Sequence, residues 1–508
     1  MKYENNVGNG ITEPGGHGAS AKRDTVLQRL TVSNSRNGGG IRQFLQNHRN
    51  ENPISFHMPG HKGQRLYREY GYSKFLDNIM DMDITEIPGA DNLFQAESII
   101  SETMAKYRNL YDSKESYLLV NGSSGGLISA ILSSVNQGGK LLMARNCHKS
   151  IFNALSLGGI EPVYLYPEII EEYGISGQID PKKVATMLDE NPEIQAVVIP
   201  SPNYYGICSD IGAIAEECHK RDKIVIVDQA HGAHLKMMEK FGGKSGENYP
   251  ESAESQGADI VINSVHKTLA SWTQSAVLNV CSDRVDTTIL ADKLQVIESS
   301  SPSYPMMATL DINADLLLNY GEKLMNDWAK NIEYFYDNTK AIHGLKVLTA
   351  KELDSTKINI DMSYYGLNGN QLEAELNKRH IYPELVAGNL VMCMTGIGNT
   401  RKDFETLLIA LMQISISHNP CFDTPKQIKS IYKTLDRTDV PKRKKSVRID
   451  DALGKVCASS VIPYPPGIPL VCPGEIFDRE VIDHIKELRA AKEKVIGLDA
   501  ENNVLVGE

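Results

Sequence analysis

The stretch "KIVIVDQAHGAH", Lys223–His234, decides how this sequence folds. Its β-branched run Ile224–Val227 favours extended backbone, and it shows no polar alternation. Such a run is a strand covered on both faces, the signature of a parallel sheet packed between helices. It stops at Asp228, an acid at the carboxyl end of the strand. "GADIVINSVHKT", Gly257–Thr268, repeats the plan and ends in Ser264, His266 and Lys267. Upstream, "SYLLVNGSSGG" (116–126), "KLLMARNCH" (140–148) and "EIQAVVIPSPNYYG" (193–206) are further short apolar runs, the last stopped by Pro200–Ser201–Pro202. Between them "LISAILSSV" (127–135) and "IGAIAEECHKRD" (211–222) carry helical spacing. Strands alternating with helices predict βαβ units and a mostly parallel sheet. In such sheets ligands bind beyond the carboxyl ends of the strands. Asn121–Ser124, Asn146–His148, Asp228–His231 and Ser264–Lys267 all fall there, so four separate segments converge on one crevice.

A chain of 508 residues exceeds one compact core. Residues 1–40, low in apolar content and ending in "NSRNGGG", read as a flexible N-terminal arm. Residues 41–330 hold the alternating pattern and form a large domain. Residues 331–508 form a smaller C-terminal α/β domain, with strands at "TKINIDMS" and "NLVMCMTG" and helices at "NGNQLEAELNKRH" and "DREVIDHIKELRAAK", the last closing the fold. The prolines of "YPPGIPLVCPGE" predict a rigid loop packed on a neighbour. Hydrophobic content of 41% and charged content of 23% are those of a soluble globular protein. A net charge of −11 argues against nucleic acid as a partner, and the short basic run Lys442–Lys445 reads as a solvated face. No apolar run reaches the roughly 20 residues of a membrane span, and the N-terminus has no secretory pattern. Eight scattered cysteines without a CxxC pair suit reduced thiols in a cytoplasm.

The crevice residues suggest a chemistry. Gly122, Ser123 and Ser124, between a strand and a helix start, can bind an anion through helix N–H groups and hydroxyls, though the same pattern suits a plain N-cap. It is neither a P-loop nor a dinucleotide fingerprint. Asp228 at the crevice mouth needs a cation or donor to offset its burial, and it could pair with a protonated ring nitrogen or simply cap the next turn. Lys267 in an apolar frame has a lowered pKa and becomes a nucleophile for carbonyls, forming a Schiff base. His148 offers a flat ring for stacking. A carbonyl-capturing lysine, an acid for a pyridinium and a phosphate site at a helix start are together what pyridoxal 5'-phosphate requires. A metal at His57, His61, His231, His234 and His266 fits less well, since Pro59–Gly60 breaks the helical spacing of the first pair and no carboxylate or cysteine stands in register.

Nine blocks then resemble the ornithine/lysine/arginine decarboxylase family: "FHMPGHKG" (56–63), "DMDITEIPGADNL" (81–93), "LVNGSSGG" (119–126), "ARNCHKS" (144–150), "SPNYYG" (201–206), "VDQAHGAH" (227–234), "SVHKTLASWTQSAVL" (264–278), "SPSYPMMATLD" (301–311) and "PYPPGIPLVCPGE" (463–475). The likeness runs in order from about residue 41 to the C-terminus and is to the short form of the family, which lacks a wing domain. It implies the aspartate-aminotransferase type of pyridoxal phosphate fold and decarboxylation of a basic amino acid, as in polyamine biosynthesis. It further implies that Lys267 carries the cofactor, Asp228 keeps the ring nitrogen protonated, His148 and Ala230 flank the ring, Ser123, Ser124, Ser264 and His266 hold the phosphate, and His231 lies near the reacting carbon. It implies a homodimer or higher even oligomer with a shared active site, "SPSYP" reaching the neighbouring one. Gln229, where short members usually carry an acid, and Trp272, where a smaller apolar residue is common, depart from the pattern and bear on the substrate pocket.

For the distal cation of the substrate, Glu384 in "IYPELVAGNL" is the candidate, with Asp83 and Glu86 as alternatives. By the resemblance to the short form, arginine ranks ahead of lysine or ornithine. An aminotransferase or specialised lyase on a basic amino acid is the second reading, weakened because "NLVMCMTGIGNTRKD" offers only Arg401 to clamp a carboxylate. A catalytically silent regulatory homologue is the third.

Overall fold

The computed structural model describes residues 40–421, 431, 433–464, 467–491 and 493–508. The expected arm, 1–40, therefore lies outside the described residues except for Gly40. The chain divides into two units, Met1–Pro53 and Ile54–Glu508. The first is described as one helix, α1 (Ile41–Asn50). The second opens with a short strand, β1 (Ile54–Phe56).

A seven-stranded sheet carries the second unit. Its strands are β2 (Glu115–Leu119), β3 (Lys140–Ala144), β4 (Glu161–Leu165), β5 (Ile194–Pro200), β6 (Ile224–Asp228), β7 (Ile260–Asn263) and β8 (Ala276–Val280), in the order β2-β8-β7-β6-β5-β3-β4. β8 alone runs opposite to the other six strands. The mostly parallel α/β sheet expected from the apolar runs is what forms. Ile226, Val227, Ile260 and Val261 are fully buried, each such side chain contributing about 1.5–3 kcal/mol of transfer free energy. One core cluster joins strand residues from both faces of the sheet to Ile131, Ile151, Ile214 and Leu290 of the covering helices. Another gathers Tyr107, Leu310, Trp328 and Phe335 with residues of the smaller sheet. Crossover helices α2 (Gly122–Ser134) and α3 (Lys149–Gly158) begin at the carboxyl ends of β2 and β3.

Beyond β8 the 36-residue helix α4 (Tyr304–Thr339) starts on a Ser303 cap, with Pro305 in the first turn, where its missing N–H costs nothing. A four-stranded antiparallel sheet follows, in the order β9 (Lys346–Val347), β10 (Lys357–Asp361), β13 (Leu390–Met394), β12 (Leu385–Ala387). The intervening β11 (Ile381–Pro383) pairs instead with β1, in parallel. The last segment has its own core, around Leu435, Phe477, Ile482 and Val506. There the sequence reading needs correction, since helix α5 (Arg479–Ala490) does not close the fold. The chain ends in strand β15 (Asn503–Gly507), paired antiparallel with β14 (Lys444–Arg448). Val504 and Val506 alternate with exposed Leu505, a period of two too short to stand out beside the helix. Lys442–Lys445 are exposed, as a solvated face requires. No disulfide joins cysteines among the described residues, and no described helix is long and apolar enough to cross a membrane.

Candidate active site

Beyond the carboxyl ends of the large sheet lies a cavity of about 370 Å³. Gly122, Ser123, Ser124, His148, Asp228, Ala230, His231, Ser264, His266, Lys267 and Glu384 all line it. Every one of these sequence-predicted residues is thus brought to a single place. Asp83 and Glu86 are not, being exposed and outside its lining, with Glu86 accepting from Asn92 instead (2.7 Å).

Lys267 differs slightly from expectation. The strand β7 stops at Asn263, and Lys267 sits in a single helical turn, Val265–Thr268, that turns its side chain into the cavity. Its Nζ is 3.0 Å from His231 Nε2. Burial lowers the Lys267 pKa, opposed by Asp228 and Glu384 and reinforced by Lys357. Burial also holds the His231 pKa well below the usual histidine range. A neutral imidazole thus faces the amine, and a proton can pass between the two nitrogens. Asp228 ends β6 and accepts the Ala230 N–H (3.2 Å); burial raises its carboxyl pKa, and the Lys267 ammonium opposes the shift. A cation placed against Asp228 would remove that cost.

At the other end of the cavity helix α2 begins on Gly122, whose φ of +71° suits glycine and whose Cβ would stand 3.3 Å from the Gln274 carbonyl. Ser264 Oγ donates to Ser123 Oγ (2.8 Å), so two strand ends meet through hydroxyls. His266 donates Nδ1–H to the Ser275 carbonyl (2.7 Å). Its Nε2 can therefore donate only when the ring is charged. Burial pushes the His266 pKa down to about 4, and a bound phosphate dianion would push it back up. His148 caps α3, its Nδ1 accepting from Ser150 N (3.3 Å), and burial pushes its pKa down to about 3. It presents a neutral flat ring.

This donor set fits pyridoxal phosphate. An amine of lowered proton affinity, a buried acid awaiting a cation, a flat imidazole, and hydroxyls at a helix start share one cavity. His231 Nδ1 is moreover buried with no hydrogen-bond partner among the described residues. Such an atom is expected to meet a polar group of whatever fills the site.

The structure adds residues that the sequence reading passed over. Tyr204 and Tyr464 line the cavity, and the Tyr204 ring stands edge-on to His231 at 4.8 Å. Both lie in quoted blocks, so their tyrosines were the available signal. Arg145 donates to the carbonyls of Pro469 (2.6 Å) and Leu470 (3.1 Å), tying the Tyr464 loop to the strand end before His148. That is the packed loop its prolines predict, Pro465 and Pro466 lying outside the described residues. Glu298 Oε2 accepts the N–H groups of Val120 (2.8 Å) and Asn121 (2.7 Å), fixing the entry to α2. Burial pushes its pKa up to about 7. Gly60 of "FHMPGHKG" donates its N–H to the His266 carbonyl (2.7 Å), and a Cβ there would stand 2.2 Å from the Thr268 carbonyl carbon. Only glycine lets that segment lie against the Lys267 turn. Glu384 Oε2 accepts the Met58 N–H (2.8 Å), which leaves Oε1 for a ligand.

Neither departing residue lines the cavity. Trp272 packs against Phe75, with ring centroids 6.0 Å apart, and borders a separate cavity with His61 and Tyr67. Gln229 points behind the sheet, donating to Glu254 (2.8 Å) and Asn263 (3.0 Å) and accepting the Ala253 N–H (2.8 Å). Burial already raises the Glu254 pKa. Gln229→Glu would face it with a second carboxylate, and the pair would hold a proton more tightly folded than unfolded. A pKa raised on folding gives stability that is present at low pH and lost as pH rises. The variant is expected to melt close to the parent under acidic conditions and to lose roughly 3 kcal/mol above neutrality, read by thermal denaturation at several pH values.

Comparison with known proteins follows the same lines. The family model described as "Orn/Lys/Arg decarboxylase, major domain" matches residues 41–360, and "Orn/Lys/Arg decarboxylase, C-terminal domain" matches residues 418–505. An arginine decarboxylase of Halalkalibacterium halodurans is 30% identical over 460 residues, covering 87% of this chain and 91% of the relative. The uncharacterized protein YaaO of Bacillus subtilis is 32% identical over 467 residues, covering 89% of this chain and 95% of the relative. Among solved structures, the constitutive lysine decarboxylase of E. coli matches with a TM-score of 0.69 at 18% identity, covering 96% of this chain and 84% of that one. That likeness bears on the fold alone.

Proposed function

This chain belongs to the Orn/Lys/Arg decarboxylase family, and we propose that its substrate is arginine, released as CO2 and the corresponding amine. Decarboxylation of a basic amino acid with pyridoxal phosphate is the activity of the family. The observation that carries the reading is the single cavity holding the Lys267–His231 pair (3.0 Å), Asp228 and Glu384. Relatives named arginine decarboxylase, at 28–30% identity over most of the chain, favour arginine over lysine, for which the named relatives are 21–22% identical.

The bound cofactor supplies an aldehyde for amines and an electron-poor ring that takes up the electron pair of the breaking Cα–carboxylate bond. Lys267 would hold that aldehyde, and Asp228 would keep the ring nitrogen protonated. His148 and Ala230 would stand beside the ring, while Gly122, Ser123, Ser124, Ser264 and His266 would hold the phosphate. Lys267 or His231 would supply one proton to Cα in the place of the departed CO2. Glu384 takes the guanidinium through its open oxygen. Among the described residues no arginine lines the cavity to clamp a carboxylate, and Arg401 instead lies over the Tyr334 ring at 4.0 Å; both disfavour an aminotransferase.

A homodimer or higher even oligomer in the cytoplasm is part of this reading. Exposed Met80, Met82, Ile84 and Ile87 support it, as apolar side chains close together on a surface suit a protein contact.

The test is release of labelled CO2 from carboxyl-labelled arginine, lysine and ornithine, with the amine identified. Arginine is expected to turn over fastest, and Glu384→Gln to raise its KM about 10²-fold through loss of a charge-assisted hydrogen bond. Release from lysine or ornithine alone would overturn the choice of arginine. No release from any of the three, as a silent homologue would give, would overturn the activity.

A further inference from the structure

Behind the cavity lies a charged cluster sealed from solvent. Lys357, Asp354, Thr356, His234 and Thr268 are each fully buried. Lys357 Nζ donates to Asp354 Oδ2 (2.8 Å), Thr356 Oγ1 (3.0 Å) and the His231 carbonyl (2.6 Å). His234 bridges Asp354 Oδ1 through Nε2 (3.2 Å) and Thr268 Oγ1 through Nδ1 (3.2 Å). The cluster therefore touches His231 directly and Lys267 through its neighbour Thr268, without entering the cavity. It holds the backbone of His231 from one side and the residue after Lys267 from the other. Trp328 of α4 lies against the His234 ring, with centroids 5.0 Å apart.

We propose that Lys357, locked by Asp354 and extended by His234, is a positioning residue that sets the His231 imidazole against the Lys267 amine. This rests on the roles given above to Lys267 and His231. A lysine is the residue type least often buried whole, so a fully buried one needs several acceptors at once, and here they are supplied. Lys357 opens β10, in the smaller sheet, and so couples that sheet to the chemistry. The charged and titratable groups facing its ammonium are Asp354, His231, His234, Lys267, Lys62 and Cys208. Its charge lowers the proton affinity of His231 and Lys267 alike, which keeps both free to exchange a proton.

The variant Lys357→Met/Asp354→Asn removes the two charges together. Loaded with pyridoxal phosphate, it is expected to keep the visible absorption of the cofactor and its melting transition. Its kcat is expected to fall about 10²-fold with KM little changed, as when reacting groups are displaced by about 1 Å. The acid limb of its pH profile should move to higher pH, since Lys357 depresses the two pKa values more than Asp354 raises them. A merely structural role would leave that limb in place. A folded variant with parental kcat and parental acid limb overturns the proposal. If the double variant does not fold, the isosteric Thr268→Val decides. Loss of its hydrogen bond should lower kcat roughly ten-fold at an unchanged melting temperature, and parental kcat overturns the proposal. A parent that releases no CO2 overturns both this proposal and the function on which it rests.

Discussion

Replacing Lys267 with alanine is expected to lower CO2 release by about 10⁴-fold or more, the scale seen when a covalent and proton-transferring group is removed outright. Lys267 would do two tasks with one atom, holding the aldehyde and moving a proton, so no neighbour can cover for it. His231, 3.0 Å away, could still move a proton, but an imidazole has no primary amine with which to hold the aldehyde. The proposed phosphate site is separate, on Gly122, Ser123, Ser124, Ser264 and His266, so the variant should still take up pyridoxal phosphate with weakened affinity. Borohydride treatment followed by peptide mass spectrometry checks this directly. The parent should carry a cofactor-sized adduct on the peptide containing Lys267, and the variant should carry none. An adduct on another lysine, or CO2 release within ten-fold of the parent, would remove Lys267 from its role.

Much of this site could be read in the sequence because of the way parallel sheets are built. A run such as Ile224–Val227 has one stable environment, and the residue that ends it is delivered to the ligand crevice by the topology. Asp228, Ser264 and the Gly122–Ser124 turn are placed by that rule alone. Lys267 is placed one turn further on, since the chain bends into a short helix after Asn263. What could not be read depends on chain segments remote in sequence. Lys357 opens an ordinary apolar strand, where a lysine by default faces water; that its amine enters the back of His231 follows only from how the smaller sheet docks. Glu298 looks like the polar end of a helix, yet its carboxylate takes two N–H groups at the far end of β2. Gln229 is the reverse case. Its place in "VDQAHGAH" suggests a pocket residue, but side chains alternate along an extended chain. With Asp228 facing the cavity, Gln229 faces the other way, toward Glu254.

Asp228→Asn is expected to cut kcat about 10³-fold while leaving the KM for the amino acid within a small factor. An amide cannot hold a proton on the ring nitrogen, so the ring would be neutral and a weaker acceptor for the electrons of the breaking bond. The apolar surroundings make this effect large, because Val227 and Cys147 are fully buried nearby and water cannot supply the missing charge. In the proposed mode, substrate binding would depend instead on Glu384, which the substitution does not touch. The pKa directions make the same point. Without a cation the buried carboxyl of Asp228 is raised, and Lys267 only partly offsets that. A permanent positive charge on the ring would satisfy Asp228 in the parent and would replace its service in the variant. N-methylated pyridoxal phosphate supplies that charge without a proton. Loading it into Asp228→Asn should restore a substantial part of the lost kcat while doing nothing for Lys267→Ala. If the analogue fails to restore activity in a folded, cofactor-loaded Asp228→Asn protein, Asp228 serves the site through structure and not through the charge of the ring.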